Sequence, residues 1–397
     1  MTTTKARMVP ISLLGEVTLG KMVQPTRKNE TDELRPYLRA AHLPAPGTLS
    51  LDVGEQQMYF SPSELDRLNL QKGDVVIVEG GAGYGRSAYL DDDLDGWGFQ
   101  NSIVRVRPYP GVSVGKHIYY SLQHAQTDRQ IELEVSTATL PHFTAEKVGR
   151  FRLPLPTLQT QRAIADYLDR ETAEVDAMSA DLDEMEMLLT ERRIAGFYRA
   201  LDRAGNSEAT APNVQVKFLC DIGTGYGDTQ DAAEDGEYPF YVRSNNVLSS
   251  SGWDIEGPAV LTAGDGAGVG KVFHYAEGKM KVHQRVYALT NFRGVNPRYF
   301  FEAFTRIFPD TVLHGGASST VASLRMHMLS DLKLPLPSLD EQQRIVDEID
   351  RETAEIDAIL ADIAELRDLL AERRAAVIAA AVTGQINVPI TQETTNA

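Results

Sequence analysis

The sequence predicts an α+β fold in which two mixed α/β globular domains are separated by two long helices, which pair as an antiparallel coiled coil with pseudo-two-fold symmetry. Three observations predict it: a long segment occurs twice, its apolar residues follow a heptad spacing, and the intervening segments are rich in glycine, aromatic residues and short β-like runs. The predicted boundaries are 1–152 for domain 1, 153–205 for the first helix, 206–333 for domain 2, and 334–397 for the second helix and tail.

The repeated segment begins at Leu153 and again at Leu334, an offset of 181 residues without a gap. Both copies start with Leu-Pro-Leu-Pro and end at a shared Glu-Arg-Arg, and 24 of the 41 positions between these limits are identical. Chance does not produce this agreement. The chain is therefore a tandem duplication.

Each copy of the repeat predicts a long helix, because its apolar residues are spaced by three, four and seven positions. Prolines keep the chain extended just before each helix, Ser338 and Glu341 form a capping box, and Gly384 is a stop signal. Two helices with such apolar stripes are expected to pack on each other. The predicted seam positions are Ile164, Leu168, Val175, Met178, Leu182, Met185 and Leu189, followed by Ile345, Ile349, Ile356, Ile359, Ile363, Leu366 and Leu370.

Composition narrows the class of protein. The chain has one cysteine, Cys220, no apolar run long enough for a bilayer and no signal peptide, which predicts a cytoplasmic protein without a disulfide. The net charge of −17 argues against a polyanionic partner. However, residues 1–150 carry 16 basic and 18 acidic side chains, and residues 206–333 carry 11 and 14. The acidity therefore lies mostly in the helices, and either domain can present a basic face.

The predicted architecture fits a protein that reads a split DNA site. Two unlike globular domains at opposite ends of a rigid rod would contact two separated sequences, and the rod would set their spacing. The competing interpretation is that the helices merely dimerise the molecule or join two unrelated binding domains. Geometry alone does not decide between them.

The repeated segment and the C-terminal stretch Ala379-Ala-Ala-Val-Thr-Gly-Gln-Ile-Asn-Val resemble the conserved regions of Type I restriction-modification specificity subunits. The resemblance covers the whole chain. It implies that each globular domain is a target-recognition domain for half of a bipartite double-stranded DNA site. It also implies that the helices set the spacer and dock two methyltransferase subunits, which carry the chemistry, and that restriction subunits join through them. No cofactor is expected on this chain.

Candidate DNA contacts come from glycine-rich loops and basic residues in both domains. Each loop ends in a cation and could bring backbone amides to a phosphate, although a tight turn between strands is the favoured explanation of the glycines. Arginine near a strand end could pair with guanine or phosphate, with a surface salt bridge as the alternative. A serine near the second repeat could contact phosphate or cap a helix. The candidates are Arg39, Gly81, Gly83, Gly85, Arg86, Arg105, Arg243, Gly266, Gly268, Gly270, Lys271, Lys281 and Ser319.

Candidate partner contacts come from surface positions that are identical in both helices, since an apolar seam does not require them. They are Asp169, Arg170, Glu171, Asp350, Arg351 and Glu352. No catalytic or metal-ligating motif is predicted. The order Asp265, Glu277, Lys279 is reminiscent of metal-dependent nucleases, but it arises readily by chance among 56 acidic residues. The alternatives to a DNA reader are therefore a partner-binding scaffold and, less favoured, a nuclease.

Overall fold

The computed structural model describes residues 6–135, 141–203, 212–314 and 323–389, with the backbone alone for 311–314. The chain divides into two compact units. Unit 1 comprises Met1–Leu182 and Glu365–Ala397, and unit 2 comprises Asp183–Ala364. Each unit therefore contains one globular domain, part of the first long helix and part of the second. Among the described residues, no helix is both long and apolar enough to cross a membrane.

Unit 1 contains a four-stranded antiparallel sheet in the order β2-β8-β5-β6, a three-stranded sheet in the order β4-β3-β7, and the pair β1-β9. Strands β3 and β7 are parallel. The strands are β1 (Arg7–Pro10), β2 (Gly15–Leu19), β3 (Glu33–Leu38), β4 (Gln57–Phe60), β5 (Val75–Val78), β6 (Ser87–Tyr89), β7 (Gly98–Phe99), β8 (Ile103–Pro108) and β9 (Arg152–Leu155). The helices are α1 (Pro62–Arg67), α2 (Gly115–Thr127), α3 (Gln130–Val135), α4 (Ala145–Arg150) and the start of α5 (Leu158–Arg203).

Unit 2 contains the sheets β11-β18-β15-β16 and β13-β12-β17-β14 and the pair β10-β19, which repeats the topology of unit 1 apart from the short strand β14. The duplication therefore extends to the globular domains. The strands are β10 (Asn213–Gln215), β11 (Asp221–Thr224), β12 (Tyr238–Tyr241), β13 (Val247–Ser250), β14 (Ile255–Glu256), β15 (Ala259–Ala263), β16 (Phe273–Ala276), β17 (Lys279–Val282), β18 (Val286–Thr290) and β19 (Lys333–Pro335). The helices are α6 (Val216–Leu219), α7 (Pro297–His314), α8 (Met326–Ser330) and α9 (Leu339–Val382).

Strand β5 contributes side chains to two hydrophobic cores, one on each face of its sheet. Its four residues, Val-Val-Ile-Val, are all buried, and successive side chains point to opposite faces. Val75 and Ile77 pack with α2, the first turns of α5 and the last turns of α9. Val76 and Val78 pack with β3, β4 and β7. A continuous apolar run of this kind is typical of a strand that is covered on both faces. Strand β15 divides its residues between two cores of unit 2 in the same way.

The long helices α5 and α9 run antiparallel within each unit, as the sequence predicts. In unit 2, Arg199 pairs with Glu352 at 3.1 Å, and Arg203, one turn later, pairs with Glu348, one turn earlier. In unit 1, Arg373 lies 3.5 Å from Glu171. The capping box at Ser338 is present, and Gly384, two residues after the end of α9, has a φ of +72°.

The seam is narrower than the heptad pattern predicts. At the start of each helix two predicted positions are buried, Ile164 with Leu168 and Ile345 with Ile349. Further along, one position per heptad is buried: Val175, Leu182 and Leu189 in α5, and Ile356, Ile363 and Leu370 in α9. The alternate positions Met178, Met185, Ile359 and Leu366 are exposed, so their assignment to the seam is wrong. The predicted seam is therefore confirmed for one row of residues in each helix and not for the other.

Helix α2 carries a buried histidine that predicts a loss of stability in acid. His117 is almost inaccessible, and burial lowers its pKa from 6.5 to about 4. The unfolded chain therefore binds a proton that the folded unit does not between these pH values. We expect the free energy of unfolding to fall by about 2–3 kcal/mol as the pH drops from 7 to 4 through this group.

The measurement is denaturant unfolding of wild type and His117→Gln over that pH range. The variant should lose this share of the pH dependence, while NMR titration of the wild-type imidazole should report the lowered pKa directly. Identical slopes in both proteins, or an imidazole that titrates near 6.5, would contradict the prediction.

Candidate nucleic-acid interface

The glycine-rich loop of unit 2 connects β15 and β16 and passes close to the end of β12. Gly266 and Gly270 have φ of +79° and +69°, a conformation that other residues rarely adopt. A Cβ atom on Gly268 would lie 2.7 Å from the backbone oxygen of Arg243. The glycines therefore let this loop approach β12, and Lys271 is exposed at its end.

Two exposed arginines converge on one carboxylate beside this loop. Nη1 of Arg243 lies 2.6 Å from Oδ1 of Asp265, and Nη1 of Arg285 lies 3.2 Å from Oδ2. Burial raises the pKa of Asp265, but the hydrogen bond and charge of Arg243, together with those of Arg285, lower it further, so it lies below its ordinary value. The carboxylate is therefore ionised and the cluster carries a net positive charge. Arg285 and Arg243 therefore form one cluster around Asp265.

The corresponding glycine-rich loop of unit 1 is a hairpin between β5 and β6. Gly81 and Gly85 have φ of +81° and +78°, and a Cβ atom on Gly85 would lie 2.2 Å from Oε1 of Gln126. Arg86 turns back from the loop, and its Nη1 donates to the backbone oxygen of Pro44 at 2.8 Å. Gly83 lies against this folded side chain. The tight-turn explanation accounts for this loop, and Arg86 is committed to the backbone of its own domain.

Arg39 and Arg243 are not structurally equivalent, although matching proline-aromatic strands precede them. The backbone N–H of Gln100 donates to the oxygen of Leu38, and that of His283 donates to the oxygen of Tyr241. Together with the parallel pairing of the strands, this makes Leu38 the counterpart of Tyr241. Arg39 therefore corresponds to Val242. Its Nη2 donates to the oxygen of Val53 at 3.3 Å.

Arg105 lies in the interior of unit 1. Its side chain is only 1% exposed, and Nη1 donates to the backbone oxygen of Asn69 at 2.6 Å. Nη2 lies 3.5 Å from a carboxylate oxygen of Glu16. Its prediction as a DNA contact is therefore wrong, because the sequence shows which residues share a strand face but not whether that face is covered.

Lys281 and the supposed nuclease trio have other partners. Nζ of Lys281 lies 3.7 Å from Asp231 and 3.6 Å from Asp254 and is 18% exposed, so its charge is already balanced.

Glu277 accepts a hydrogen bond from Tyr275, and Lys279 lies over the ring of Trp253. The described residues contain no group of three or more His, Cys, Asp or Glu side chains placed to hold a metal ion. Ser319 lies outside the described residues.

Asp169 and Asp350 each hold their helix to the globular domain of their own unit. In unit 1, Oδ2 of Asp169 lies 2.6 Å from Nζ of Lys116, which also lies over the ring of Tyr89. In unit 2, Asp350 lies 3.1 Å from Arg298, which stacks over Tyr275. A cation, a tyrosine ring and an aspartate thus recur at equivalent positions, although the cation is lysine in unit 1 and arginine in unit 2. Contacts within each unit therefore explain why both repeats have an aspartate at this position.

Glu171 and Glu352 are likewise engaged within their units, by the arginines of the opposite helix. Glu352 accepts from Arg192 and Arg199, and Glu171 lies opposite Arg373. Arg170 and Arg351 differ, because both side chains are exposed. Of the predicted partner contacts, these two present their charges outward.

The exposed faces of the long helices carry apolar residues, some of which have the heptad spacing of the seam. Met178, Met185 and Leu188 of α5 are about half exposed. Their counterparts in the repeat are exposed to a similar degree: Ile359, Leu366 and Leu369 of α9. We call these six residues the outer stripe. Their recurrence at the 181-residue offset was a signal available in the sequence.

Fold and site together define a tandemly duplicated α+β protein, in which each unit joins a two-sheet domain to paired long helices and one unit carries an exposed arginine cluster. The chain belongs to the family of the Type I restriction modification DNA specificity domain, whose model matches residues 22–187 and 212–366. The two matched regions fall one on each globular domain and the helix that follows it.

Among curated relatives, the chain is similar to the Type I restriction enzyme EcoDI specificity subunit of Escherichia coli, with 27% identity over 183 residues. This region is 46% of the present chain and 40% of that protein. The EcoBI specificity subunit of the same organism is 35% identical over 91 residues, which are 23% of the chain and 19% of that protein. The matched regions thus span less than half the length of these relatives.

Two solved structures share the fold. One, described as the structural basis of complex assembly and conformational transition of the type I R-M system, has a TM-score of 0.67 at 17% identity and covers 96% of this chain and 98% of that one. The other, the HsdS subunit from Thermoanaerobacter tengcongensis, has a TM-score of 0.51 at 17% identity and covers 96% and 97%. At this identity the likeness concerns the fold alone.

Proposed function

We propose that this chain is the DNA-recognition subunit of a Type I restriction-modification system. Domain 1, residues 1–152, and domain 2, residues 206–333, each read one half of a bipartite, asymmetric site on double-stranded DNA. The observation that carries the proposal is that the family model matches twice, on domains that share one topology but differ in their surface chemistry. Unit 2 presents the arginine cluster around Asp265, whereas unit 1 has no such group among its described residues. Two unlike readers suit a non-palindromic target.

The long helices set the spacer between the half-sites and dock two methyltransferase subunits. The outer stripe supports docking, because apolar side chains that recur on both helices match a partner that binds once to each. Arg170 and Arg351 are also exposed at equivalent positions of the two helices, so each copy can offer the partner the same charge. Restriction subunits join through the methyltransferase subunits. The chain itself has no catalytic activity and works in the cytoplasm.

The net charge of −17 indicates how binding is shared within the complex. Most affinity for duplex DNA comes from phosphate neutralisation, which this chain supplies poorly on its own. The methyltransferase subunits therefore provide much of the positive field, and this chain provides the sequence preference. We expect the isolated chain to bind duplex DNA more weakly than the complex.

Single-molecule methylation sequencing tests the proposal in cells that express the chain with its methyltransferase subunit. We expect one split motif with a gap of constant length. Insertion of seven residues after Leu182 and seven after Ile363 keeps both buried rows in register and should lengthen the gap while leaving both half-sites unchanged. A complex that methylates no motif and binds no duplex would support the partner-binding scaffold instead, and altered half-sites with an unchanged gap would contradict the spacer role.

A further inference from the structure

We propose that Arg243 and Arg285 read guanine in the half-site contacted by domain 2, and that Asp265 is the positioning residue that orients both guanidinium groups. This inference rests on the proposed function and names the residues and the base class of one half-site. Guanine presents two acceptors, O6 and N7, in the major groove, and arginine matches them with two donors.

The arginine side chains combine accessibility with fixed backbones. Arg243 is 42% exposed and Arg285 is 58% exposed, and each contacts Asp265 through a single Nη1 atom. A guanidinium has five N–H donors, so most donors of each remain for a ligand. The backbone N–H of Arg285 donates to Nδ1 of His283 at 3.0 Å, and the oxygen of Arg243 lies against Gly268. The backbone positions from which the two arginine side chains extend are therefore fixed.

The shared carboxylate favours base reading over phosphate binding. A phosphate is bound mainly through positive charge, and Asp265 removes one unit of charge from the cluster. Base recognition instead requires a side chain held in one orientation, since two hydrogen bonds must form together. Asp265 lowers the net charge while it restrains two long side chains. Such an arrangement costs general affinity and improves geometric discrimination.

Unit 1 lacks the cluster at the equivalent positions. With Leu38 matched to Tyr241 and Gln100 to His283, the counterparts of Arg243 and Arg285 are Ala40 and Ser102. The backbone N–H of Ala40 donates to Oγ of Ser102 at 3.2 Å, so a local hydrogen bond occupies this place. The arginine reading therefore applies to the half-site of domain 2 alone.

The test uses the chain in complex with its methyltransferase subunit. Its probes are a duplex with the motif found by methylation sequencing, single-base variants of that duplex, and a random-sequence duplex. Arg243→Ala and Arg285→Ala should each lose roughly 5- to 150-fold in discrimination at one guanine of the domain 2 half-site. In cells, that position of the methylated motif should relax from guanine to any base, and the other half-site should not change. Arg293→Ala is the matched control, because Arg293 is an exposed arginine of unit 2 paired with a carboxylate elsewhere, on Asp221.

Asp265→Asn tests whether Asp265 acts by orienting the two arginines, because this variant removes the negative charge and weakens the contacts that hold both guanidinium groups. We expect it to reduce discrimination at the same guanines while affinity for the random duplex stays equal or rises, and Asp265→Glu should restore part of the discrimination. Circular dichroism and thermal unfolding confirm that each variant is folded. Uniformly weaker binding of the arginine variants with unchanged discrimination, or a domain 2 half-site without guanine on either strand, would overturn the inference. A wild-type complex that binds no duplex would instead refute the proposed function.

Discussion

Replacement of Phe304 by alanine is expected to lower the free energy of unfolding of unit 2 by about 3–5 kcal/mol. Phe300, Phe304 and Phe308 are fully buried and lie one turn apart on α7. The ring of Phe304 stacks on its neighbours at centroid distances of 5.7 and 4.9 Å, and Phe273 of β16 packs edge-on at 5.7 Å. Alanine would leave a cavity among three rings that are held by helix and sheet, so the site cannot collapse around it.

Denaturant unfolding followed by near-UV circular dichroism measures this loss. Phe218→Ala is the matched control, since this phenylalanine also lies in unit 2 but is exposed, and it should cost less than about 1 kcal/mol. Equal effects of the two variants would show that the aromatic row of α7 does not form the core of unit 2.

Replacement of Gln342 by leucine is expected to destabilise the junction between α9 and domain 2 by about 2–4 kcal/mol. This side chain is fully buried. Its Oε1 accepts from the backbone N–H of Asn296 at 2.7 Å, and Nε2 donates to the oxygen of Pro337 at 2.8 Å. Leucine has a similar size but leaves both backbone groups without these partners, and unpaired buried groups cost the full desolvation penalty.

Gln343→Leu controls for the loss of an amide at the next position, where the side chain is exposed, and should change stability by about 0.5 kcal/mol or less. Gln161→Leu should reproduce the effect in unit 1, because Gln161 accepts from the backbone N–H of Val114 at 2.9 Å in the same arrangement. The hypothesis fails if Gln342→Leu is as mild as Gln343→Leu.

Methylation should depend on Gln342 as well, since the junction fixes the angle between a domain and its helix. We expect Gln342→Leu to lower methylation of the split motif more than Phe218→Ala does at a temperature where both proteins remain folded.

The amino-acid sequence by itself determined the duplication, the long helices and the caps. These features depend on residues close together in the chain: a 181-residue offset, a heptad spacing, and a serine three positions before a glutamate. The glycine-rich loops were predictable for the same reason, because a left-handed backbone favours glycine and closely spaced glycines are visible in the sequence. The resemblance of the repeat to Type I specificity subunits likewise needed no coordinates.

Only the tertiary structure decided which charged and apolar side chains face solvent. Arg105 lies on a strand with plain alternation, but the face of the strand that carries it is covered. Met178 has the spacing of a seam residue, yet its side chain is exposed. The sequence predicts Asp169 as a partner contact, whereas the structure pairs it with Lys116, a residue distant in sequence. Local periodicity specifies how a segment folds. Burial and ion pairing depend on which residues, distant in sequence, pack against that segment. These long-range contacts cannot be read from one amino-acid sequence.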